Sequence, residues 1–148
     1  MPIQFLDMRV SQHSNDDAAT TPIPVAPASL LFGDIGLQTA GVSLENEANI
    51  RVQLNGYVKV SGLGIGETLT ISVFRDAVEI FTTTYSIGEV LVTEETWGFS
   101  AVDFPPAPLD GEIQYTATIE TSGVLGITTA VIGAASFSGT AAAGTTTE

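Results

Sequence analysis

Residues 48–62, ANIRVQLNGYVKVSG, alternate apolar and polar side chains over most of their length. Ile50, Val52, Leu54, Val58 and Val60 hold the even positions, and Arg51, Gln53, Asn55 and Lys59 hold odd ones. A period of two is that of a β-strand buried on one face, and no helix can use it. The run is long enough to cross the full height of a sandwich, with its even face toward a core. Gly56 marks a bulge or a close approach of another group. The odd face, carrying Tyr57 and Lys59, is a candidate subunit surface.

The same signature recurs along the chain, separated by Gly, Pro, Asn and Asp. Residues 3–10, IQFLDMRV, place Gln4, Leu6, Met8 and Val10 on one side and Ile3, Phe5, Asp7 and Arg9 on the other. A polar segment that turns proline-rich at Pro22, Pro24 and Pro27 follows, which suits an extended arm and not a central strand. Residues 29–44 predict a short strand, a Gly-Asp-Ile-Gly turn and a second strand to Leu44. Residues 67–86 predict a hairpin turning at Arg75-Asp76, and residues 94–104 set Trp97, Phe99 and Ala101 on one face. Residues 111–121 bury Ile113, Tyr115, Ala117 and Ile119, and residues 127–142 close the chain with small, uncharged side chains. No window of helical apolar spacing with a cap is found. The expected organisation is an N-terminal strand and Pro-rich arm over 1–27, a β-body over 28–142 and a flexible tail over 143–148. The expected fold is all-β, a jelly-roll-type antiparallel β-sandwich.

Composition narrows the function. Seventeen acidic residues against four basic ones give a formal charge of −13. Such a field repels nucleic acid and anionic membrane, whose binding depends on Lys and Arg. Only 14% of residues are charged, so much of the polar surface must come from hydroxyls and amides, including 19 Thr. The absence of cysteine excludes disulfides, zinc–thiolate sites and thiol catalysis. MPIQFLDMRV lacks a basic stretch followed by a long apolar run, so it reads as neither signal peptide nor membrane span.

Three stretches carry a family resemblance: VQLNGYVKVSG (52–62), LTISVFRDAVEIF (69–81) and TTAVIGAASFSG (128–139). Together they resemble the jelly-roll heads of the tumour necrosis factor and complement-type globular family. The nearest pattern is the C-terminal head of the collagen-like glycoproteins of the bacterial exosporium. The resemblance spans about residues 28–142. It implies a homotrimer around a threefold axis, a structural or adhesive role at a cell or spore surface, and no catalysis. One departure is plain: residues 1–27 contain no glycine, so no Gly-X-Y stalk precedes the body.

Candidate chemistry is thin. His13, the sole histidine, lies near Ser11, Ser14, Asp16 and Asp17, but a polar segment supplies neither an orienting partner nor an oxyanion hole. Glu94 and Glu95 are adjacent in a strand and point to opposite faces, so they cannot act as a carboxylate pair. Glu45 with Glu47, and Asp103 with Asp110, offer no better pair, and no Asp-x-Asp-x-Asp calcium loop is present. Trp97, Phe99 and Tyr57 could form a sugar platform, and core packing is the commoner use of such aromatics. No catalytic, metal or cofactor residue is assigned.

The expected function is therefore a non-enzymatic, self-associating structural protein of a cell or spore surface, in the form of a homotrimeric head. Two alternatives stand beside it. One is a filament or appendage subunit whose N-terminal strand adds to a neighbour's sheet. The other is a carbohydrate-binding module. The expected partner is the chain itself, with a divalent cation or a glycan as possible ligands. The candidate assembly residues are Ile3, Phe5, Leu6, Met8, Val10, Tyr57, Lys59, Val131 and Phe137. Since subunits at −13 repel one another, lowering the pH toward about 4, where carboxylates titrate, or adding calcium, should increase particle size by light scattering. No change in either series would remove electrostatics from the assembly.

Overall fold

The computed structural model describes residues 3–18, 20–86, 94–108 and 110–145. Its strands, in chain order, are β1 (Gln4–Ser14), β2 (Thr21–Pro22), β3 (Leu30–Gln38), β4 (Ile50–Ser61), β5 (Thr68–Arg75), β6 (Val78–Ser86), β7 (Glu94–Asp103), β8 (Glu112–Thr121) and β9 (Val131–Ala143). A 3₁₀ turn, Leu44–Asn49, precedes β4. Sheet A has the order β1-β9-β4-β7, with the short β2 also beside β9, and sheet B has the order β3-β8-β5-β6. With β2 set aside, the antiparallel pairs β1·β9, β3·β8, β4·β7 and β5·β6 nest inside one another. The chain is thus one long hairpin, tipped at β5–β6, rolled until β9 lies beside β4 and β8 beside β5. That winding is the jelly roll, and the expected fold class is the observed one.

Alternation decides which side chains enter. In β4 the even positions Ile50, Val52, Leu54, Val58 and Val60 are all buried, as their spacing predicts. From sheet B they meet Leu69, Ile71 and Val73 of β5 and Ile113, Tyr115, Ala117 and Ile119 of β8, all in one core. The small residues of β9 are explained by its position. This strand is bonded on both sides, and its inward residues are buried in the core. A Cβ on Gly139 would come within 2.7 Å of Ile35 Cδ1 and 2.8 Å of Leu54 Cδ2.

Several local expectations change. The segment Gly33-Asp34-Ile35-Gly36 is not a turn, because β3 runs straight through it. Gly33 is required by contact: a Cβ there would collide with the Phe137 side chain. The second strand expected up to Leu44 is replaced by a loop and the 3₁₀ turn, which holds Glu45 and Glu47. The β5–β6 turn is one residue later than expected, at Asp76-Ala77, with Asp76 at φ 52°. The expected arm, 1–27, is partly built into the body: β1 pairs with β9 from Gln4 to Ser14, and Ile23 is buried in the core. At the other end β9 continues to Ala143, and residues 146–148 lie outside the described residues.

The face assignment of β1 also changes, because a bulge between Phe5 and Asp7 inserts Leu6 as an extra residue. Leu6 turns in against the core, while Phe5, Met8 and Val10 share the outward side. Asp7 and Ser11 then lean toward sheet B. Gln38 N donates to Asp7 Oδ2 at 2.9 Å and Asp34 N donates to Ser11 Oγ at 3.2 Å. Side chains of one edge strand thereby satisfy backbone donors along the edge of β3, so the two sheets are laced together along this border.

Replacing Gly33 with Ala should destabilise the fold by about 1–3 kcal/mol, the usual range for overpacking a filled site. Phe137→Leu in the same chain should recover part of that loss in urea unfolding. Equal stability of wild type and Gly33→Ala would show that the contact can relax.

Candidate functional site

The two sheets present very different outward faces. On sheet B, Asp34, Glu79, Glu112 and Glu120 point away from the core among threonines. On sheet A, register aligns four cross-strand rows. Met8, Thr140, Gln53 and Val102 form one row, Val10, Ser138, Asn55 and Ser100 the next, and Gln12, Ser136, Tyr57 and Gly98 the third. At the end nearest Phe104, Phe5, Ala142 and Arg51 complete the fourth row. These rows hold no carboxylate and one cation, Arg51. Phe5, Met8, Val10, Val102 and Phe104 are each more than half exposed. Between the two rims of large side chains runs a strip of small ones on β9, and a shallow depression of about 450 Å³ is lined by Arg51, Gln53, Val102, Phe104, Thr140 and Ala142.

Arg51 stands apart from the other cations. Arg9 pairs with Asp7 at 2.8 Å, Lys59 with Asp17 at 2.6 Å and Glu94 at 3.0 Å, and Arg75 with Asp103 at 2.7 Å. Arg51 has no carboxylate partner among the described residues. The hydrogen bond from Arg9 is also the main cause that holds the Asp7 carboxyl below its usual range, followed by the backbone donor of Gln38.

The candidate assembly residues divide. Ile3, Phe5, Met8 and Val10 are exposed. Tyr57 and Val131 are half-buried. Leu6 and Phe137 face the chain's own core, and Phe137 stacks on Phe99 with ring centroids 6.2 Å apart. Neither is presented to a neighbour. Lys59 is held by Asp17 and Glu94, which ties the segment after β1 to β4 and β7. Reading outward positions would have found Val102 and Phe104. Asp103 faces inward while its two apolar neighbours face out, the reverse of the usual partition.

The candidate chemical groups do not converge. His13 belongs to β1 and its Nε2 lies 3.1 Å from Thr21 Oγ1, while Asp17 serves Lys59. Glu94 and Glu95 do take opposite faces, Glu95 accepting from the Tyr85 hydroxyl at 2.8 Å. Trp97 and Phe99 point inward, against Tyr85 and Phe81, whereas Tyr57 points outward, so no common aromatic platform forms. Among the described residues no group of three His, Asp or Glu is placed to hold a metal ion. No described helix is long and apolar enough to cross a membrane.

Asp103 instead bridges the sheets. Arg75 Nη1 donates to both its oxygens, at 2.8 and 2.7 Å, and the buried Tyr115 hydroxyl donates to Oδ2 at 2.8 Å. Burial, then this hydrogen bond, pushes the Tyr115 hydroxyl far above its ordinary ionisation range.

No family model and no curated protein matches the chain. Solved structures do. VP2 of infectious bursal disease virus, in its subviral particle, superposes with a TM-score of 0.55 at 12% identity, over 93% of this chain and 36% of that one. The Gx strain of the same virus gives 0.57 at 12%, over 93% and 36%. Dimeric latent PorU from Porphyromonas gingivalis gives 0.53 at 8%, over 95% and 13%. The chain thus spans about a third of the length of the viral chains it matches. At these identities the likeness is one of fold, and the chain is a jelly-roll β-sandwich.

Because Tyr115 must stay protonated in the folded state, its contribution is complete below about pH 10, where an unfolded tyrosine ionises, and is lost as the pH rises above that value. The melting temperature should fall more steeply above that pH in wild type than in Tyr115→Phe. Tyr85, shifted the same way by its bond to Glu95, accounts for a remaining slope. Identical slopes in the two proteins would show that Tyr115 does not carry the linkage.

Proposed function

We propose that this chain is a non-enzymatic structural protein that self-associates through its jelly-roll body. The carrying observation is the segregation of charge. In a chain at −13, the outward face of sheet A holds no carboxylate over four rows and exposes five large apolar side chains. Large exposed apolar side chains gathered on one carboxylate-free stretch of a sheet mark a site of association. The same fold in the VP2 subviral particle supports a particle-building use. On the resemblance to exosporium and complement-type heads, the proposed setting is a cell or spore surface, and a closed homotrimer is the form that resemblance implies, with a twofold pair as the competing form. The filament alternative has a different requirement. β1 is seated on β9 of its own chain, so adding it to a neighbour means withdrawing it from that place.

Sedimentation equilibrium of the full chain at micromolar concentration tests the reading. Oligomers that dissociate on dilution are expected. A monomer across the concentration series would overturn it.

A further inference from the structure

We propose that the outward face of sheet A pairs with the same face of a second copy, about a twofold axis running along the strands. This rests on the self-association reading and adds the surface and the symmetry.

Charge selects the occupant. Each copy carries −13, so most approaches set carboxylates against carboxylates. Over its four rows sheet A can meet its own likeness without doing so, and Glu94 and Asp17, past the last row, are held by Lys59. A basic partner would be drawn to the acidic outward face of sheet B instead, and an acidic surface would be repelled by the chain as a whole. A second copy is left as the occupant that gains most from a face free of carboxylate and rimmed with apolar side chains.

Shape and register select the axis. A twofold axis along the strands lays β1 over β7 of the second copy and β9 over its β4. Phe5 and Met8 then meet Phe104 and Val102 of the second copy, apolar rim on apolar rim. In the middle, the hydroxyl of Thr140 faces the amide of Gln53 of the second copy, a donor–acceptor match. An axis across the strands would instead oppose the Phe5 row to the polar row of Gln12 and Ser136. Four strands about 4.8 Å apart and four rows nearly 7 Å apart span about 500 Å² in plan. With side-chain relief, that approaches the roughly 800 Å² per partner of a standard interface.

The chain has no cysteine, so cross-linking can be read cleanly. The double variant Met8→Cys with Val102→Cys should be joined into a covalent dimer by a short bis-maleimide, which spans the roughly 10 Å between stacked sheets, while either single variant should not. Val10→Asp, at an exposed position two rows from Arg51, should keep its circular dichroism and weaken association about 100-fold or more, since each pairing would set two added carboxylates against Ser100 of the other copy with no cation in their row. Thr82→Asp on sheet B should change nothing. If wild type associates but Val10→Asp leaves its size unaltered, or the mass is an odd-numbered closed ring, the pairing is wrong and self-association stands. If wild type is a monomer throughout, both fail.

Discussion

The contact between Phe137 and Gly33 sets how closely the two sheets lie. Phe137 is the one large inward side chain in the middle of β9, and its ring rests where residue 33 would otherwise carry a Cβ. From there an aromatic chain crosses the interior, Phe137 stacking on Phe99, Phe99 on Phe81 at 5.9 Å, and Phe32 meeting Phe99 edge-on at 6.4 Å. The glycine at 139 follows from close packing too, because a side chain there would push against Ile35, Leu37 and Leu54, and the alanines at 135, 141 and 143 of the same strand are likewise buried.

Around that centre, scarce positive charge is spent on borders. Arg9 orients Asp7, which takes the Gln38 amide of the opposite sheet. Lys59 gathers Asp17 and Glu94. Arg75 reaches across the sandwich to Asp103, itself held by Tyr115. Apart from the local Arg9–Asp7 pair, these contacts join segments distant in sequence, and together they leave Arg51 as the cation of the four carboxylate-free rows. One border sealed by such lacing and four rows of sheet A free of carboxylate are the basis of the functional proposal.

Much of the fold was legible from period-two alternation alone. β4, β5, β7 and β8 lie where their spacing places them, and their inward residues are those the pattern names. The errors have physical causes. Glycine marks either a turn or a close contact, and at Gly33 only the partner, Phe137, distinguishes the two. The alternation in β1 was read as unbroken, and the bulge at Leu6 reversed the sense of everything after it. The small uncharged residues of β9 suit either a core or an assembly surface, and because the strand is central and buried inward, Phe137 belongs to the core.

What the sequence by itself determined is local: strand period, turn chemistry, the lack of thiols and the −13 charge all act over a few residues or over composition. The outward face of sheet A is a different kind of object. Phe5, Arg51, Val102 and Ala142 come from four separate strands and become neighbours only through the β1-β9-β4-β7 order. Phe104 joins them just past the end of β7. The pairing register brings their rows together, and the absence of acid from all of them at once is a property of that register. Tertiary structure decided it because strand order is set by the rolling of the whole hairpin, a choice no single strand's pattern contains.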